Sequence, residues 1–330
     1  MVTSRKRRAA VVAATAFAAS FALVGPAVAQ QWPTKPVTLI VPFPPGGSVD
    51  AIARMVQPGL QQRLGATVLI ENRPGGSGSI GTAAVARAAP DGNTWLFVFD
   101  THAVNPALIP NLSYDSQKDL DPVLLIGTAP NVLATHPSRP YRSLAEVIAA
   151  ARERPRAVTY ATVGAGSLGH LTMVLLSKRA GVDLVHVPYR GGGPAINDAI
   201  AGHVDLIIAS TALLNAHLQG GTLRTLVQTG LKRQASLADL PTADESGFSG
   251  FQSLAWWGVY GPAGTPKPIL DRFRGELTAA LKDERVAKQI AETQQITATL
   301  GGPEELRAFF DEQLRTWGTV VRENGIKSDT

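Results

Sequence analysis

Two glycine-rich turns are the places in this sequence where backbone groups could act on an anion. The first, "VPFPPGGSVD" at 41–50, follows an apolar run and precedes a segment with helical spacing of apolar residues. The second, "GAGSLGH" at 164–170, has the same order of strand, glycines and helix. A helix that begins at such a turn points N–H groups and the positive end of its dipole at one spot. The pattern therefore predicts two anion-binding turns.

Residues 76–81 and 164–169 also match the spacing GxGxxG, which in some proteins holds a dinucleotide. The match is weak because no acidic residue ends a second strand at the distance that a dinucleotide site requires. The sequence contains no GxxxxGK[ST] segment either, so nucleoside triphosphates are not favoured. We therefore expect no nucleotide cofactor.

Nucleophilic and metal chemistry have little support. No GxSxG elbow is present. Ser167 and His170 lie three residues apart at a predicted helix start, but no carboxylate nearby could orient the histidine. We interpret Ser167 as a helix cap and place His170 in the first turn. The six histidines lack metal-ligand spacing, so we expect neither a metal nor another cofactor.

Other polar and aromatic residues leave alternatives open. Trp256 and Trp257 could form an apolar wall of a cleft or belong to the core. Asp198 and Asp205 flank a predicted helix–strand junction, a position typical of cap and turn residues.

The N-terminus is typical of a secretory signal. "SRKRR" is followed by an alanine-rich apolar stretch and by "AVAQ", which predicts cleavage after Ala29 and a signal peptide at 1–29. A membrane anchor is the alternative. Without the four basic residues of this leader, the formal charge falls from +5 to +1. A chain this close to neutral gives no indication of a nucleic-acid partner.

The rest of the chain alternates between strand-like and helix-like segments, which predicts an α/β fold with mainly parallel sheets. Its length of 330 residues is enough for two domains. The region after residue 266 is predicted to be mostly helical. The predicted strands are "VTLIVPF", "ATVLIEN", "NTWLFVF", "DPVLLIGTAPNVLATH", "AVTYATV", "VDLVHVPY", "VDLIIAS" and "LRTLVQTG". The fourth is long enough to cross between domains.

Five blocks together resemble a known family. They are "WPTKPVTLIVPFPPGGSVDAIAR", "VLIENRPGGSGSIGTAAVARAAPDGNTWL", "YATVGAGSLGHL", "VPYRGGGPAINDAIAGHVDL" and "PAGTPKPILDRF". In this order they are similar to the extracytoplasmic solute-binding proteins of tripartite tricarboxylate transporters, the Bug or TctC-like family. The resemblance covers essentially the whole chain after the leader.

This resemblance implies a periplasmic-binding-protein architecture of the Venus flytrap, type II-like class. Two α/β domains would be joined by two crossing strands. We place domain one at 30–128 plus 256–330 and domain two at 129–255. The implied function is a monomeric, non-enzymatic periplasmic receptor that passes a small carboxylate to membrane permease subunits. The alternatives are a secreted hydrolase or dehydrogenase that uses the same cleft, and a subunit that presents ligand to a sensor kinase.

In the family the carboxylate is held largely by backbone amides of two loops, here "PPGGSVD" and "VGAGSLGH". We expect Thr101 and His102, at the end of the third strand, to set specificity. If Asp100 faces the cleft, it would repel a second carboxylate or accept a hydrogen bond from an amine or hydroxyl of the ligand. The alternative is that Asp100 caps the next turn and points away. The candidate ligand-binding residues are Phe43, Gly46, Gly47, Ser48, Asp50, Ser77, Thr101, His102, Gly164, Gly166, Ser167, His170, Tyr189 and Asp205.

Overall fold

A computed structural model describes residues 32–327, which form ten strands and ten α-helices. The predicted signal peptide at 1–29 lies outside these residues. Between residues 32 and 327, none of the helices combines the length and the apolar character that a membrane span needs.

The elements follow the predicted alternation closely. The strands are β1 (Val37–Val41), β2 (Val68–Asn72), β3 (Thr94–Phe99), β4 (Leu120–Thr135), β5 (Thr159–Thr162), β6 (Val185–Pro188), β7 (Leu206–Ser210), β8 (Arg224–Gln228), β9 (Leu254–Pro262) and β10 (Thr297–Gly301). The helices are α1 (Ser48–Leu64), α2 (Ser79–Ala86), α3 (Thr101–Leu108), α4 (Leu144–Glu153), α5 (Leu168–Ala180), α6 (Gly192–Ile200), α7 (Thr211–Gln219), α8 (Lys267–Leu281), α9 (Glu284–Gln289) and α10 (Pro303–Glu323).

The strands form two sheets that share β4. In the first sheet the order is β2-β1-β3-β9-β4, and β10 also pairs with β4. In the second sheet the order is β4-β7-β5-β6, and β8 pairs with the other side of β4. The group β1, β2 and β3 is parallel, and so is the group β5, β6 and β7. The predicted α/β class is confirmed, but the sheets are mixed rather than mainly parallel, because every pairing that involves β4 or β9 is antiparallel.

Strand β4 is the long crossing strand that the sequence predicts. It runs for 16 residues, and nearly all of them are buried. Its first part pairs antiparallel with β9 and its last part with β7. A continuous apolar strand is expected here because both of its faces are covered along its whole length.

Each sheet has its own buried core. The first packs against α1, α8 and α10, and the second against α4, α6 and α7. Helix α5 contributes to both cores, since Leu168 and Leu171 join the first and Met173 and Leu176 join the second. This separation of cores supports our proposal that the domain boundaries lie near 128/129 and 255/256.

The carboxyl ends of the two sets of parallel strands face each other across the middle of β4. In the first sheet, Phe99 at the end of β3 pairs with Trp257, which in turn pairs with Gly127. In the second sheet, Ser210 at the end of β7 pairs with Asn131. The four residue steps along β4 from Gly127 to Asn131 correspond to about 13 Å. In α/β proteins, ligands bind beyond the carboxyl ends of the strands.

Candidate functional site

The turn between β1 and α1 is held in shape by Asp50. Its carboxylate accepts hydrogen bonds from the Gly46 amide at 2.9 Å, from Arg54 Nε at 2.8 Å and from Asn72 Nδ2 at 2.9 Å. Asn72 Nδ2 also donates to the Phe43 carbonyl at 3.1 Å. Burial alone would raise the pKa of Asp50, but these bonds outweigh it and hold the pKa below its ordinary value. Asp50 therefore shapes the turn as a carboxylate that is already fully engaged.

The start of α1 offers donors that have no acceptor among the residues that the structure describes. In the described part of the chain, the amides of Ser48, Val49 and Asp50 donate to no protein acceptor. The first amides of a helix lack acceptors within it and require water or a ligand. Trp257 Nε1 donates to the Ser48 hydroxyl oxygen at 3.0 Å, which leaves the hydroxyl hydrogen free to donate. This turn can hold one anionic group.

Aromatic side chains lie beside these donors. Phe43 and Phe99 are half-buried at the ends of β1 and β3, with ring centroids 6.3 Å apart. Phe99 lies 5.2 Å from Trp257. Both tryptophans are buried in the core, but on opposite faces of β9, since Trp256 packs on Phe309 and not on this group. An apolar surface therefore adjoins the start of α1.

The turn after β2 lies against the same group. Ser77 is exposed and adopts a left-handed conformation with φ of 54°. Its carbonyl accepts from the Thr101 hydroxyl and from Asn105 Nδ2, both at 3.0 Å. A Cβ at Gly78 would lie 3.2 Å from Phe43 Cζ, so this turn packs on that ring. Thr101 uses its hydroxyl hydrogen to fix the Ser77 turn.

The turn before α5 is more self-contained than the sequence suggests. The Gly166 amide donates to His170 Nδ1 at 3.0 Å, and the Ser167 hydroxyl and amide both donate to the Gly164 carbonyl. The Ser167 hydroxyl also accepts from the His170 amide, so the cap that we inferred from the sequence is confirmed. The amides left without a protein acceptor among the described residues are those of Leu168 and Gly169.

Tyr189, at the end of β6, lies against this second turn. Its carbonyl would be 3.5 Å from a Cβ at Gly164. Its hydroxyl donates to Asp198 at 2.6 Å, and burial together with that carboxylate raises the pKa of Tyr189 to about 12. The Tyr189 phenol is therefore neutral, and its hydroxyl hydrogen is already used in the hydrogen bond to Asp198.

The expectation that His102 faces a ligand is wrong. The side chain is 3% exposed and lies 5.0 Å from the Tyr260 ring and 5.1 Å from the Phe310 ring. These rings belong to the core that contains Trp256, on the face of the first sheet opposite Phe43 and Ser48. His102 is the second residue of α3, and the turn of the helix directs it into the core while Thr101 stays at the Ser77 turn.

His102 affects stability rather than specificity. Burial lowers its pKa from 6.5 to about 3. The unfolded chain binds a proton below about pH 6.5 while the folded protein does not, so stability falls as the pH drops toward 3. We expect urea unfolding to show that His102→Phe lowers the slope of the free energy of unfolding against pH by up to about 1.4 kcal/mol per pH unit. Burial also lowers the pKa of His186 to about 3. His186 therefore contributes a similar pH dependence of stability to the wild type and to the variant. An unchanged acid slope, or an altered order of ligand preference, would contradict this assignment.

Two acidic residues, Asp205 and Asp100, do not lie where they could contact a ligand with a charged carboxylate. The expectation for Asp205 is wrong, because its carboxylate pairs with Arg139 at 3.0 Å and accepts from the Thr159 amide at 2.9 Å. Thr159 begins β5, so Asp205 lies at the edge of the sheet opposite the Gly164 turn. Asp100 is 4% exposed, and burial raises its pKa well above the ordinary value, so it does not present a charge to a ligand.

The other twelve candidates fall into two groups at the facing strand ends. The first group is Phe43, Gly46, Gly47, Ser48, Asp50, Ser77 and Thr101, and the second is Gly164, Gly166, Ser167, His170 and Tyr189. Sequence reasoning missed Asn72, which ends β2 at the same edge, and the amides of Val49, Leu168 and Gly169. Within residues 32–327, no group of histidine and acidic side chains could hold a metal ion.

The comparison with known proteins identifies the family. The description "Tripartite tricarboxylate transporter family receptor" belongs to the family profile that matches residues 52–326. This chain belongs to that receptor family. Members of the family are solute-binding proteins rather than enzymes, as the sequence predicts, and the match places the receptor among periplasmic binding proteins.

Individual relatives agree with the assignment. The receptor is 35% identical to Protein BugT of Bordetella pertussis over 313 residues, which cover 94% of this chain and 96% of BugT. It resembles R. palustris Rpa4515, solved with adipate, at a TM-score of 0.81 and 33% identity, over 90% of this chain and 99% of that one. It also resembles MatC of Rhodopseudomonas palustris, solved with malate, at a TM-score of 0.76 and 31% identity. This match covers 88% of this chain and 100% of MatC. The predicted two-domain architecture is confirmed by these likenesses.

Proposed function

We propose that this receptor, exported with cleavage after Ala29, captures one small carboxylate between its two domains. It acts as a monomer and passes the carboxylate to the permease subunits of a tripartite tricarboxylate-type transporter. One observation carries the proposal: within residues 32–327, no protein acceptor takes the amides of Ser48, Val49 and Asp50 in one domain or of Leu168 and Gly169 in the other. Both sets begin helices at facing strand ends, so one anion can bridge the domains and favour closure.

The energy of such a site is sufficient without a basic side chain. A hydrogen bond from an amide to a carboxylate contributes about 1.5–3 kcal/mol, and each helix terminus adds about 0.3–1 kcal/mol. Micromolar affinity requires about 8 kcal/mol after the costs of ordering. Three or four amides and the Ser48 hydroxyl supply this amount. The 41–50 and 163–167 turns contain no lysine or arginine.

The test is calorimetric titration of the purified protein with a panel of carboxylates, in which adipate and malate are two members. We expect saturable one-to-one binding of at least one carboxylate, followed by its recovery unchanged in the mass spectrum. Conversion of a bound compound would contradict a receptor, and failure of every carboxylate to bind would contradict the ligand class.

The aromatic surface beside Ser48 suits the aliphatic part of a ligand. Phe43→Ala removes half-buried apolar area there, and each methylene buried against it is worth about 0.8 kcal/mol. We therefore expect Phe43→Ala to weaken adipate binding about tenfold and malate binding less than about threefold. As a control, Phe309→Ala removes a half-buried ring on α10, away from these strand ends, and should change neither affinity. Equal losses for adipate and malate would contradict contact between Phe43 and the ligand chain.

A further inference from the structure

Two histidines support the turn that begins α5, and only one of them is recognisable from the sequence. His170 lies in the first turn of α5, and His186 lies on β6. Their rings stack with centroids 3.8 Å apart and an interplanar angle of 11°. The Tyr160 ring also stacks with His186, at a centroid distance of 5.1 Å.

His170 holds the turn directly. Its Nδ1 accepts the hydrogen bond from the Gly166 amide at 3.0 Å, which requires a lone pair on Nδ1 and assigns the hydrogen of the neutral ring to Nε2. Gly166 is buried and has a φ of 74°, so its amide cannot turn to water without moving the chain. A buried amide that loses its acceptor is costly.

His186 holds the same turn through Thr162. His186 Nε2 lies 2.7 Å from the hydroxyl of Thr162, whose own hydrogen goes to the Gly164 carbonyl at 3.1 Å. With the Thr162 hydrogen placed on the Gly164 carbonyl, the His186 tautomer that carries its hydrogen on Nε2 is the donor of this pair. The Thr162 hydroxyl in addition accepts from the Gly164 amide at 3.3 Å. The Gly164 amide, in a residue whose φ is 147°, thus depends on a threonine that His186 fixes, while the Gly164 carbonyl accepts from both Thr162 and Ser167.

From these contacts we propose that His170 and His186 act together as positioning residues for carboxylate binding. They hold the 164–167 turn so that α5 presents the Leu168 and Gly169 amides to the ligand. The inference rests on the proposed function and adds to it the groups that set the geometry of the second domain. Neither ring needs to touch the carboxylate.

Four variants separate hydrogen bonding from packing. His170→Asn places Oδ1 near the position of the imidazole Nδ1 and keeps an acceptor for Gly166, whereas His170→Leu removes it. His186→Gln keeps a donor near the position of Nε2, whereas His186→Phe keeps an aromatic ring for the stack and removes the donor. A purely packing role predicts that leucine and phenylalanine preserve function better than asparagine and glutamine.

The first measurement is hydrogen exchange of amides 164–169 in the protein without ligand. We expect exchange to be at least about tenfold faster in His170→Leu and His186→Phe, and within about twofold of wild type in His170→Asn and His186→Gln. Equal exchange in both variants of a pair would overturn the proposal for that histidine. This result does not depend on whether a carboxylate binds.

The second measurement is calorimetry of the same variants with adipate. We expect His170→Leu and His186→Phe to bind about fivefold or more weakly, with binding retained in His170→Asn and His186→Gln. Faster exchange without any loss of affinity would overturn the positioning role. If wild type binds no member of the carboxylate panel, the proposed function fails, and hydrogen exchange still decides whether the histidines hold the turn.

Discussion

Gly47→Leu is expected to abolish carboxylate binding while the protein remains folded. Gly47 is the exposed N-cap residue of α1, with φ of −75°, a conformation open to any residue. A Cβ there would meet only the Pro44 carbonyl, at 3.7 Å. Side chains at an N-cap lie over the first amides of the helix. A leucine would therefore occupy the space that the carboxylate needs, and we expect calorimetry to show a loss of at least about 100-fold, or about 2.7 kcal/mol.

A second substitution at this position sharpens the test. Gly47→Asp places a carboxylate of the protein over the Val49 and Asp50 amides, so it should both block the ligand and raise the melting temperature. Gly275→Leu is the matched control, because Gly275 is exposed on α8 and a Cβ there would meet nothing within 4 Å. It should leave affinity unchanged. Retained binding in Gly47→Leu would remove this turn from the site.

Asp50→Ala should weaken both folding and binding. Asp50 is 2% exposed, and its loss leaves the Gly46 amide without its acceptor and Asn72 Nδ2 with the Phe43 carbonyl alone. We expect urea unfolding to show a loss of about 2–3 kcal/mol, since a buried donor without its partner costs about 1–3 kcal/mol. Because the turn before α1 then loses its support, carboxylate affinity should fall about tenfold or more.

The pH dependence gives the Asp50 prediction a second readout. The folded protein holds the pKa of Asp50 below its ordinary value of 3.8, so this stabilisation is present above that value and is lost as the pH falls through the folded pKa. Asp50→Ala should lack this acid loss. Asp271→Ala, which removes exposed ion pairs with Lys267 and Arg274, is the control and should change neither stability nor affinity measurably. Wild-type stability in Asp50→Ala would contradict the supporting role.

Most of the fold was predictable because its signals are local. The apolar run of β4 and the glycine turns before α1 and α5 are visible in the sequence and lie where we expected them. Strand β10 was missed, since "TATLG" is short, largely exposed and stabilised by antiparallel pairing with β4. Helix α3 was missed too, and Pro106 within it disguises its helical pattern.

The positions of the two turns were predictable, but the groups that they offer were not. The turns at Gly46 and Gly164 follow strands as expected, but which amides remain available depends on partners far away in sequence. Asn72 lies 22 residues from Asp50, to which it donates, and Trp257 lies 209 residues from Ser48. The direction of His102 could not be read from the sequence, because a side chain that follows a strand points to either face once a helix begins there.

A crystal structure of the receptor with its best-binding carboxylate tests the central claim most directly. We expect one carboxylate group with its oxygens about 3 Å from the amide nitrogens of Ser48 or Val49, and contacted in the closed form by the first amides of α5. The contradictory result would be a ligand bound elsewhere. An example is the groove of about 730 Å³ that Arg54, Arg63 and Arg285 line between α1 and α9, with the amides of both turns still bound to water.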